Sequence, residues 1–525
     1  MSHLRRRLAI LLLFLLAVAT FAEDKPENKE LAKKIDAILA QPDVARGFWG
    51  IEIDNLDTGK TIYSQNEDKL FTPASNTKLF TTAATLALIG PDYKFHTTVE
   101  TTGTLDKYGR LDGDLILIGR GDPNLSGRDL PYSLKTERTL PPTHVLEELA
   151  DQIVAKGVKV IDGDVIGDDT FFPYQRYGEG WSQDDLMWGD GAPASAITIN
   201  DNVLFLSVRP AARPGERAFI NLMPFSDYYK IDNRIMTTPA GTGPRRIALQ
   251  REPGSNVLLA WGNIPVDDTN MHSEAIAIDD PAVFAAQEMR QLLQARGVSI
   301  FGHPKARHAD LASLSTFSVT AFAPSGGGDA QRPTTPASIV FATHESMPII
   351  QDLRVINKVS QNLHAELMLR LLGKEKGTAG TIEAGLEVER GWLTSVGITP
   401  DEYVFFDGSG LSRENLVSPK ALITLLTYVS KQSWAKEFED TLPVGGVDGT
   451  LVDRFRGAQL SGKVHAKTGS LNHVNSLSGF ATTAKGDHIV FSILANNHML
   501  ADRKALEAID SIVTAVIEDS KEKKD

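Results

Sequence analysis

The pattern of apolar and polar positions changes character twice along the chain. Before about residue 92 and after about residue 350, apolar residues recur at helical spacing or in short alternating runs, as in helices packed beside strands. Between 93 and 340, short strand-like runs alternate with turn residues, with helices predicted at 143–156 and 281–296. The flanking parts are predicted to hold helices at 29–41, 73–89, 362–372, 418–430 and 501–518, and strands at 47–55, 60–64, 463–470, 474–483 and 488–495. This arrangement predicts an α/β domain interrupted by a long β-rich insertion.

The first residues follow the order of a secretory signal peptide. The arginines Arg5–Arg7 precede an apolar run, Leu8–Val18, that is too short to cross a bilayer comfortably, and small residues follow at Thr20 and Ala22. We expect cleavage after Ala22, in preference to a buried N-terminal helix. The mature protein is then expected to be soluble and exported, without a transmembrane anchor.

Composition excludes several classes of function. The 525 residues, 42% of them apolar, are enough for a sizeable core, and the net charge of −13 argues against a nucleic-acid-binding protein. The absence of cysteine excludes disulfides, thiolate zinc sites, iron–sulfur clusters and a cysteine nucleophile. No His-Glu-x-x-His spacing occurs, and the acidic residues between 267 and 280 are typical of a solvated loop more than of a calcium site. We therefore predict no metal or other cofactor.

A candidate nucleophile and base lie at the start of the helix predicted at 73–89. Ser75 and Lys78 are three residues apart and share a helix face, so the amine can take the proton of the hydroxyl. Thr72 and Pro73 suit the helix start, which would place Ser75 in the first turn, where free N–H groups favour developing negative charge. The spacing alone is weak, because two further Ser-x-x-Lys sequences occur, at 433–436 and 520–523.

Two further short sequences could complete such a site. Ser360 and Asn362 precede a predicted helix, where a hydroxyl and an amide could relay a proton and hold a carbonyl, although this pattern also fits an ordinary helix start. The sequence 467–470, Lys-Thr-Gly-Ser, lies on a predicted strand, where Lys467 and Thr468 could bind a carboxylate and Gly469 would let a substrate backbone approach. The order of the three motifs is more informative than any one of them, since it is the order found in penicillin-binding proteins and serine β-lactamases.

On these motifs the sequence resembles the D-alanyl-D-alanine carboxypeptidases/endopeptidases of the DacB type, which are class C low-molecular-mass penicillin-binding proteins. The resemblance runs from about residue 30 to 515 and includes the wide separation of Lys78 from Ser360. Further segments that resemble the family are 119–124, 191–202, 407–415 and 442–451.

The resemblance implies a role for each motif residue. Ser75 would be the nucleophile, Lys78 its base, and Ser360 would assist proton transfer to the leaving D-alanine. The residues implied to bind substrate are Asn362 for the amide, Lys467 and Thr468 for the terminal carboxylate, Gly469 and Ser470 along the strand, and Asp168 (or Asp169) and Arg413 for the stem-peptide side chain. Backbone N–H groups of Ser75 and Ser470 would form an oxyanion hole.

The resemblance also implies an architecture. We expect a β-lactamase-like α/β (α+β) domain, with an antiparallel sheet flanked by helices, formed by 23–92 and 340–520 after a signal peptide at 1–22. Two inserted domains would comprise 93–204 with 321–339, and 205–320.

The predicted function is that of an exported serine DD-peptidase, periplasmic or on the extracellular face if there is no outer membrane. Its expected partners are peptidoglycan stem peptides and, as covalent inhibitors, β-lactams, with cell-wall synthesis proteins as a further candidate and no nucleic acid. Two alternatives stay open: a β-lactamase, and a non-catalytic peptidoglycan-binding module.

Overall fold

The computed structural model describes residues 29–130, 132, 138–252, 254–270, 273–314, 338–499 and 503–518. The predicted signal peptide at 1–22, residues 321–337 of the predicted insertion and the C-terminal tail at 519–525 lie outside the described residues. None of the helices in these ranges is both long and apolar enough to cross a membrane.

The elements follow one another in three groups. The first group is α1 (Lys29–Leu39), β1 (Phe48–Asn55), β2 (Lys60–Gln65) and α2 (Thr77–Leu88). The second is β3 (His96–Thr101), β4 (Thr104–Leu105), β5 (Arg110–Asp112), β6 (Leu115–Ile118), α3 (His144–Ala155), β7 (Val160–Ile161), β8 (Val165–Pro173), β9 (Val203–Arg209), β10 (Phe219–Met223), β11 (Lys230–Thr238), β12 (Arg246–Gln250), β13 (Val257–Pro265), β14 (Ser273–Ala277), α4 (Pro281–Ala295), β15 (Ser299–Ile300), β16 (Pro304–Ala309) and β17 (Ile339–Glu345). The third is α5 (Ile350–Lys358), α6 (Asn362–Lys376), α7 (Ile382–Val396), β18 (Tyr403–Val404), β19 (Leu416–Val417), α8 (Pro419–Val429), α9 (Ala435–Glu439), β20 (Val464–Leu471), β21 (Val474–Thr482), β22 (His488–Asn496) and α10 (Lys504–Glu518).

The first and third groups share one antiparallel sheet. Its strand order is β2-β1-β22-β21-β20, so the two ends of the chain meet where β1 pairs with β22. Helices cover both faces of the sheet. Ile493 of β22 packs with α1 and α10 on one face, whereas Leu494 packs with α2 and α8 on the other. This accounts for the nearly continuous apolar run of β22, since a strand buried on both faces need not alternate.

The second group forms its own sheets. Their strand orders are β16-β8-β6-β3-β17, β15-β7-β5-β4, β10-β9-β14 and β11-β13-β12. One apolar cluster runs through them, from Leu117 and Leu149 to Phe284 and Leu258. It therefore includes residues of both inserted domains expected from the sequence, and the exact division between those domains stays a prediction.

The α/β class with an antiparallel sheet flanked by helices is confirmed, but three helices were not predicted from the sequence: α5, α7 and the five-residue α9. In α5, the polar residues Asp352 and Asn357 are fully buried, which obscures the apolar periodicity. In α7, Gly385 is needed for close packing, because a Cβ there would lie 2.2 Å from the carbonyl oxygen of Leu369 in α6. Glycine within a helix is otherwise unfavourable, so the sequence pattern did not indicate a helix here.

Buried apolar residues of the shared sheet should contribute strongly to the free energy of unfolding. Ile493 in β22 is fully buried, so Ile493→Ala should lower the free energy of unfolding by about 2–5 kcal/mol. Ile339→Ala is the matched control, because Ile339 is 45% exposed on β17, and it should cost much less. Urea denaturation followed by tryptophan fluorescence measures both. Equal losses would contradict the placement of β22 at the centre of the core.

Candidate active site

Ser75 lies on a short turn between β2 and α2. The turn is a 3₁₀ helix, Ala74–Asn76, and the α-helix begins at Thr77, so Ser75 does not occupy the first α-helical turn that the sequence predicted. Ala74 has a positive φ of 49°, an uncommon conformation for a residue other than glycine. The turn is held in this conformation by its surroundings.

Asn76 attaches this turn to the strand that carries Lys467. Its side-chain nitrogen donates to the Lys467 carbonyl at 3.2 Å and to the Ser476 hydroxyl at 2.6 Å. The Ser476 hydroxyl in turn donates to the carbonyl of Pro73 at 2.7 Å. These bonds join the Ser75 turn to β20 and β21, and all of them are buried.

Gly469 makes this close contact between turn and strand feasible. A Cβ at Gly469 would lie 2.1 Å from the Ser476 hydroxyl and 2.7 Å from the Pro73 carbonyl oxygen. Packing inside the protein therefore requires glycine here, and the approach of a substrate backbone to Gly469 stays a prediction.

The Lys78 amine lies at the centre of the site and is fully buried. It is 2.9 Å from the Ser75 hydroxyl, 2.6 Å from the side-chain oxygen of Asn362 and 2.5 Å from the carbonyl oxygen of Ser409. The last two oxygens can only accept hydrogen bonds. In a neutral Lys78 they take both N–H groups, which leaves the lone pair for the Ser75 O–H. This is the geometry required of a general base.

Burial also favours the neutral form of this amine. It lowers the pKa of Lys78 to about 7, although the carboxylates of Asp407, Glu366 and Asp190 act in the opposite direction. An amine with a pKa near 7 is suited to both taking and returning a proton at neutral pH.

Ser360 is linked to a second buried amine. The Lys467 amine donates to the Ser360 hydroxyl at 2.8 Å and to the Thr468 carbonyl at 2.8 Å. Ser360 has a positive φ of 63°, and the helix α6 begins two residues later, capped by the side chain of Gln361. Burial, and secondarily the neighbouring Lys78, holds the pKa of Lys467 well below its usual range.

The motif residues surround one cavity of about 630 Å³. The sequence-predicted residues among its lining are Ser75, Ser360, Asn362, Thr468, Ser470 and Arg413. β20 is the terminal strand of its sheet. Residues 443–445 pair with the first part of its outer edge, where Val444 faces His465, so an extended peptide could pair with the later part, beyond Ala466. A second cavity of about 440 Å³ adjoins the first at Ser360, Asn362 and Asp190.

Asp168 does not lie with these residues. On β8, it accepts hydrogen bonds from Arg307 at 3.0 Å and from the Thr170 hydroxyl at 2.6 Å. Its neighbour Asp169 is bound by Ser195 and His308. Both carboxylates are used inside the inserted part and line neither cavity. The acidic residues on the cavity wall near Arg413 are Asp185 and Asp190.

Sequence reasoning missed several residues that build the site. Asn76 lies between Ser75 and Lys78 and is fully buried, and the only indication of it in the sequence is a polar residue before an apolar run. Glu366, fully buried on α6, accepts from the backbone N–H groups of Gly408 and Ser409 at 3.0 and 2.9 Å. It thereby holds the Ser409 carbonyl against Lys78.

Asp190 was missed because only folding brings the inserted part to the Asn362 side chain, which donates to the Asp190 carbonyl at 2.9 Å.

Comparison with known proteins places the chain among cell-wall peptidases. The model of the D-Ala-D-Ala carboxypeptidase 3 (S13) family matches residues 31–313 and 328–516. A D-alanyl-D-alanine carboxypeptidase of Actinomadura sp. (strain R39) is 33% identical over 89% of this chain and 81% of its own length. The D-alanyl-D-alanine carboxypeptidase DacB of Haemophilus influenzae is 26% identical over 86% of each chain.

Solved structures share the fold. The crystal structure of penicillin-binding protein 4 (DacB) from Haemophilus influenzae superposes with a TM-score of 0.73 at 24% identity, over 91% of this chain and 98% of that chain. At this level of identity the likeness concerns the fold.

The contact between the Gly408–Gly410 loop and the Ser75 turn can be tested by one substitution. Gly410 has a φ of +80°, and a Cβ there would lie 1.9 Å from the Ala74 carbonyl oxygen. Gly410→Ala should therefore destabilise the protein by more than about 1 kcal/mol. Gly391→Ala is the control, because a Cβ at Gly391 in α7 would meet no atom within 4 Å, and alanine should stabilise that helix by about 0.5–1 kcal/mol. Thermal unfolding measures both, and a Gly410→Ala protein as stable as the wild type would contradict the close approach.

Proposed function

The chain belongs to the D-Ala-D-Ala carboxypeptidase 3 (S13) family and is a penicillin-binding serine DD-peptidase, and on that premise we propose the residues that carry its reaction. The main support for this assignment is the buried Lys78 amine, which lies 2.9 Å from the Ser75 hydroxyl. Ser75 and Ser360 line the same cavity. Ser75 is the nucleophile and Lys78 its base.

Acylation begins when the Ser75 oxygen attacks the carbonyl of the penultimate D-alanine. The hydroxyl proton passes to Lys78, and the tetrahedral oxyanion accepts hydrogen bonds from the backbone N–H groups of Ser75 and Ser470. The C–N bond then breaks, and the leaving D-alanine nitrogen takes the proton that Lys78 received, relayed through Lys467 and Ser360, which returns Lys78 to its neutral form. The product is an ester on Ser75, which water cleaves to release the shortened peptide and restore the hydroxyl.

The substrate backbone lies along the outer edge of β20 beyond Ala466, past the part that pairs with residues 443–445. This position orients the D-alanine carbonyl between Ser75 and Ser470, and it places the Asn362 amide and the Thr468 hydroxyl within the same cavity. Support comes from the strand order, which leaves β20 at the end of the sheet.

The stem-peptide side chain is bound by Arg413 together with Asp190 and Asp185. All three line the cavity that contains Ser75, whereas the carboxylate of Asp168 is bound by Arg307. A pair of acidic groups beside a guanidinium suits a third stem-peptide residue that ends in both an amine and a carboxylate.

Several finer assignments belong to the same proposal. The protein is exported, with a signal peptide at 1–22, and acts in the periplasm or on the extracellular face. The catalytic domain comprises 23–92 and 340–520, with inserted domains at 93–204 with 321–339 and at 205–320. The cleaved bonds include the D-Ala-meso-diaminopimelate cross-link, because the cleft extends into a second cavity. Cell-wall synthesis proteins are its macromolecular partners.

Covalent capture tests the nucleophile. Excess benzylpenicillin should add one penicilloyl group to the mature protein, detected as a single adduct by intact-mass spectrometry, and Ser75→Ala should abolish it. Ser433→Ala is the matched control, because Ser433 and Lys436 repeat the Ser-x-x-Lys spacing while Lys436 pairs with Asp440 at the surface. An adduct that persists in Ser75→Ala rules out Ser75. Consumed penicillin without an adduct favours the β-lactamase alternative, and intact penicillin without an adduct favours the binding module.

The state of Lys78 predicts how acylation depends on pH. The neutral amine is the base, and with a pKa of about 7 its neutral fraction rises about tenfold from pH 6 to pH 8. The rate constant for benzylpenicillin acylation, measured by stopped-flow or quenched mass spectrometry, should rise by about the same factor. A rate that falls over this interval would mean that protonated Lys78 is the active form.

A further inference from the structure

The Thr468 side of the cavity contains a cation that the mechanism above does not use. Thr450 and Arg454 line this side together with Thr468. The hydroxyls of Thr450 and Thr468 lie 2.7 Å apart. Arg454 follows the same turn, since its backbone N–H donates to the Leu451 carbonyl at 3.0 Å. Two neighbouring hydroxyls and Arg454 therefore line the same cavity.

Asp510 of α10 fixes the orientation of this guanidinium. The Arg454 Nε and Nη2 atoms donate to its carboxylate at 2.9 and 2.5 Å. This pairing uses one edge of the planar group, so Nη1 lies on the opposite edge. The Arg454 side chain is 15% exposed, and it keeps its charge at any working pH. Asp510 offsets part of this positive charge, but a guanidinium held in a fixed, partly buried position can still donate hydrogen bonds to an anion from its Nη1 edge.

The lysine expected to bind the substrate carboxylate is poorly placed for that role. Lys467 is fully buried, and its amine donates to the Ser360 hydroxyl and to the Thr468 carbonyl. The buried Lys78 amine is close enough to oppose a second positive charge there. These contacts assign Lys467 to proton transfer through Ser360, and they leave the recognition of a carboxylate to another group.

We propose that Arg454 supplies the positive charge that recognises the C-terminal carboxylate of the leaving D-alanine, with the Thr450 and Thr468 hydroxyls as neighbouring donors. The inference rests on the proposed function and adds a specificity-determining residue to it. It makes the enzyme selective for peptides with a free C-terminal carboxylate, and it makes Asp510 the residue that positions the selecting group.

The test compares two substrates that differ only at the recognised group. One is an N-acylated L-Lys-D-Ala-D-Ala peptide, and the other is the same peptide with a C-terminal carboxamide. The readout is the ratio of kcat/KM for acid over amide, measured by mass spectrometry of the shortened peptide. Arg454→Gln should lower this ratio by about 10- to 100-fold, the usual effect of losing a hydrogen bond to a charged group. Arg454→Lys, which retains the charge, should retain part of the preference.

Two control variants separate charge recognition from other effects. Arg456 lies two residues after Arg454, is exposed and pairs with Asp453. Arg456→Gln should leave the ratio unchanged. Lys467→Met should lower activity on the acid and the amide alike, because it acts through Ser360.

An unchanged ratio in Arg454→Gln would overturn the proposal, as would a ratio lost in Lys467→Met but kept in Arg454→Gln. If Arg454→Gln does not fold, Thr450→Val and Arg454→Lys carry the same test, and an unaltered ratio in both would overturn the proposal. Failure of the proposed function gives a different result from failure of the Arg454 proposal. In that case the wild-type protein would cleave neither peptide and would not be acylated by benzylpenicillin, so no ratio could be measured.

Discussion

Two lysine amines, Lys78 and Lys467, lie buried beside one another, and the rest of the site depends on this arrangement. Removing an ammonium group from water is costly unless a carboxylate pairs with it. Among the described residues, no hydrogen bond or ion pair joins either amine to a carboxylate. The arrangement therefore favours loss of a proton, and each amine is surrounded by oxygens that accept from a neutral NH₂ group. The base proposed for Ser75 and the proton carrier proposed for Ser360 both depend on this one constraint.

The surrounding fold holds those oxygens in place. The Ser409 carbonyl reaches Lys78 because Glu366 binds the backbone of its loop. The Ser75 turn stays against β20 because Asn76 is bonded to the strand. The positive φ angles of Ala74 and Ser360 are unfavourable conformations that persist because such neighbours fix them. Stability and reactivity are thus supplied by the same contacts.

The inserted part contributes directly to the site. A network of charged residues joins it to α6, where Asp201 accepts from Arg128 at 2.6 Å and meets the ring of the buried His364 at 3.2 Å. The carbonyl of Asp190 accepts from Asn362 at the mouth of the cavity. The insertion therefore shapes the wall of the cleft next to Ser360, and the two cavities together extend beyond what a terminal D-alanine needs.

The sequence alone determined the motifs, their order and the class of the fold. The apolar pattern predicted the strands of the shared sheet and the helices α1, α2, α6, α8 and α10, because periodicity of burial is a local property. The sequence also identified candidate site residues, because their spacing along the chain can be recognised without the fold: Ser75, Lys78, Ser360, Asn362 and the Lys467–Ser470 strand. The helices α5 and α7 were missed because buried polar residues and a packing glycine break that periodicity.

Only the tertiary structure decided what each residue faces. It separated Asp168 from the cavity and placed Asp190 there, and it set Arg454 beside Thr450 and Thr468. It also put Lys467 next to Lys78, which favours the proposed proton-transfer role for a lysine that the sequence could only describe as a cation. Burial, charge interactions and the contacts between distant segments depend on residues that are far apart in the sequence. A local sequence pattern therefore cannot predict them. The sequence therefore determined which chemical groups are available, and the fold decided which of them are charged, which are paired and which meet the substrate.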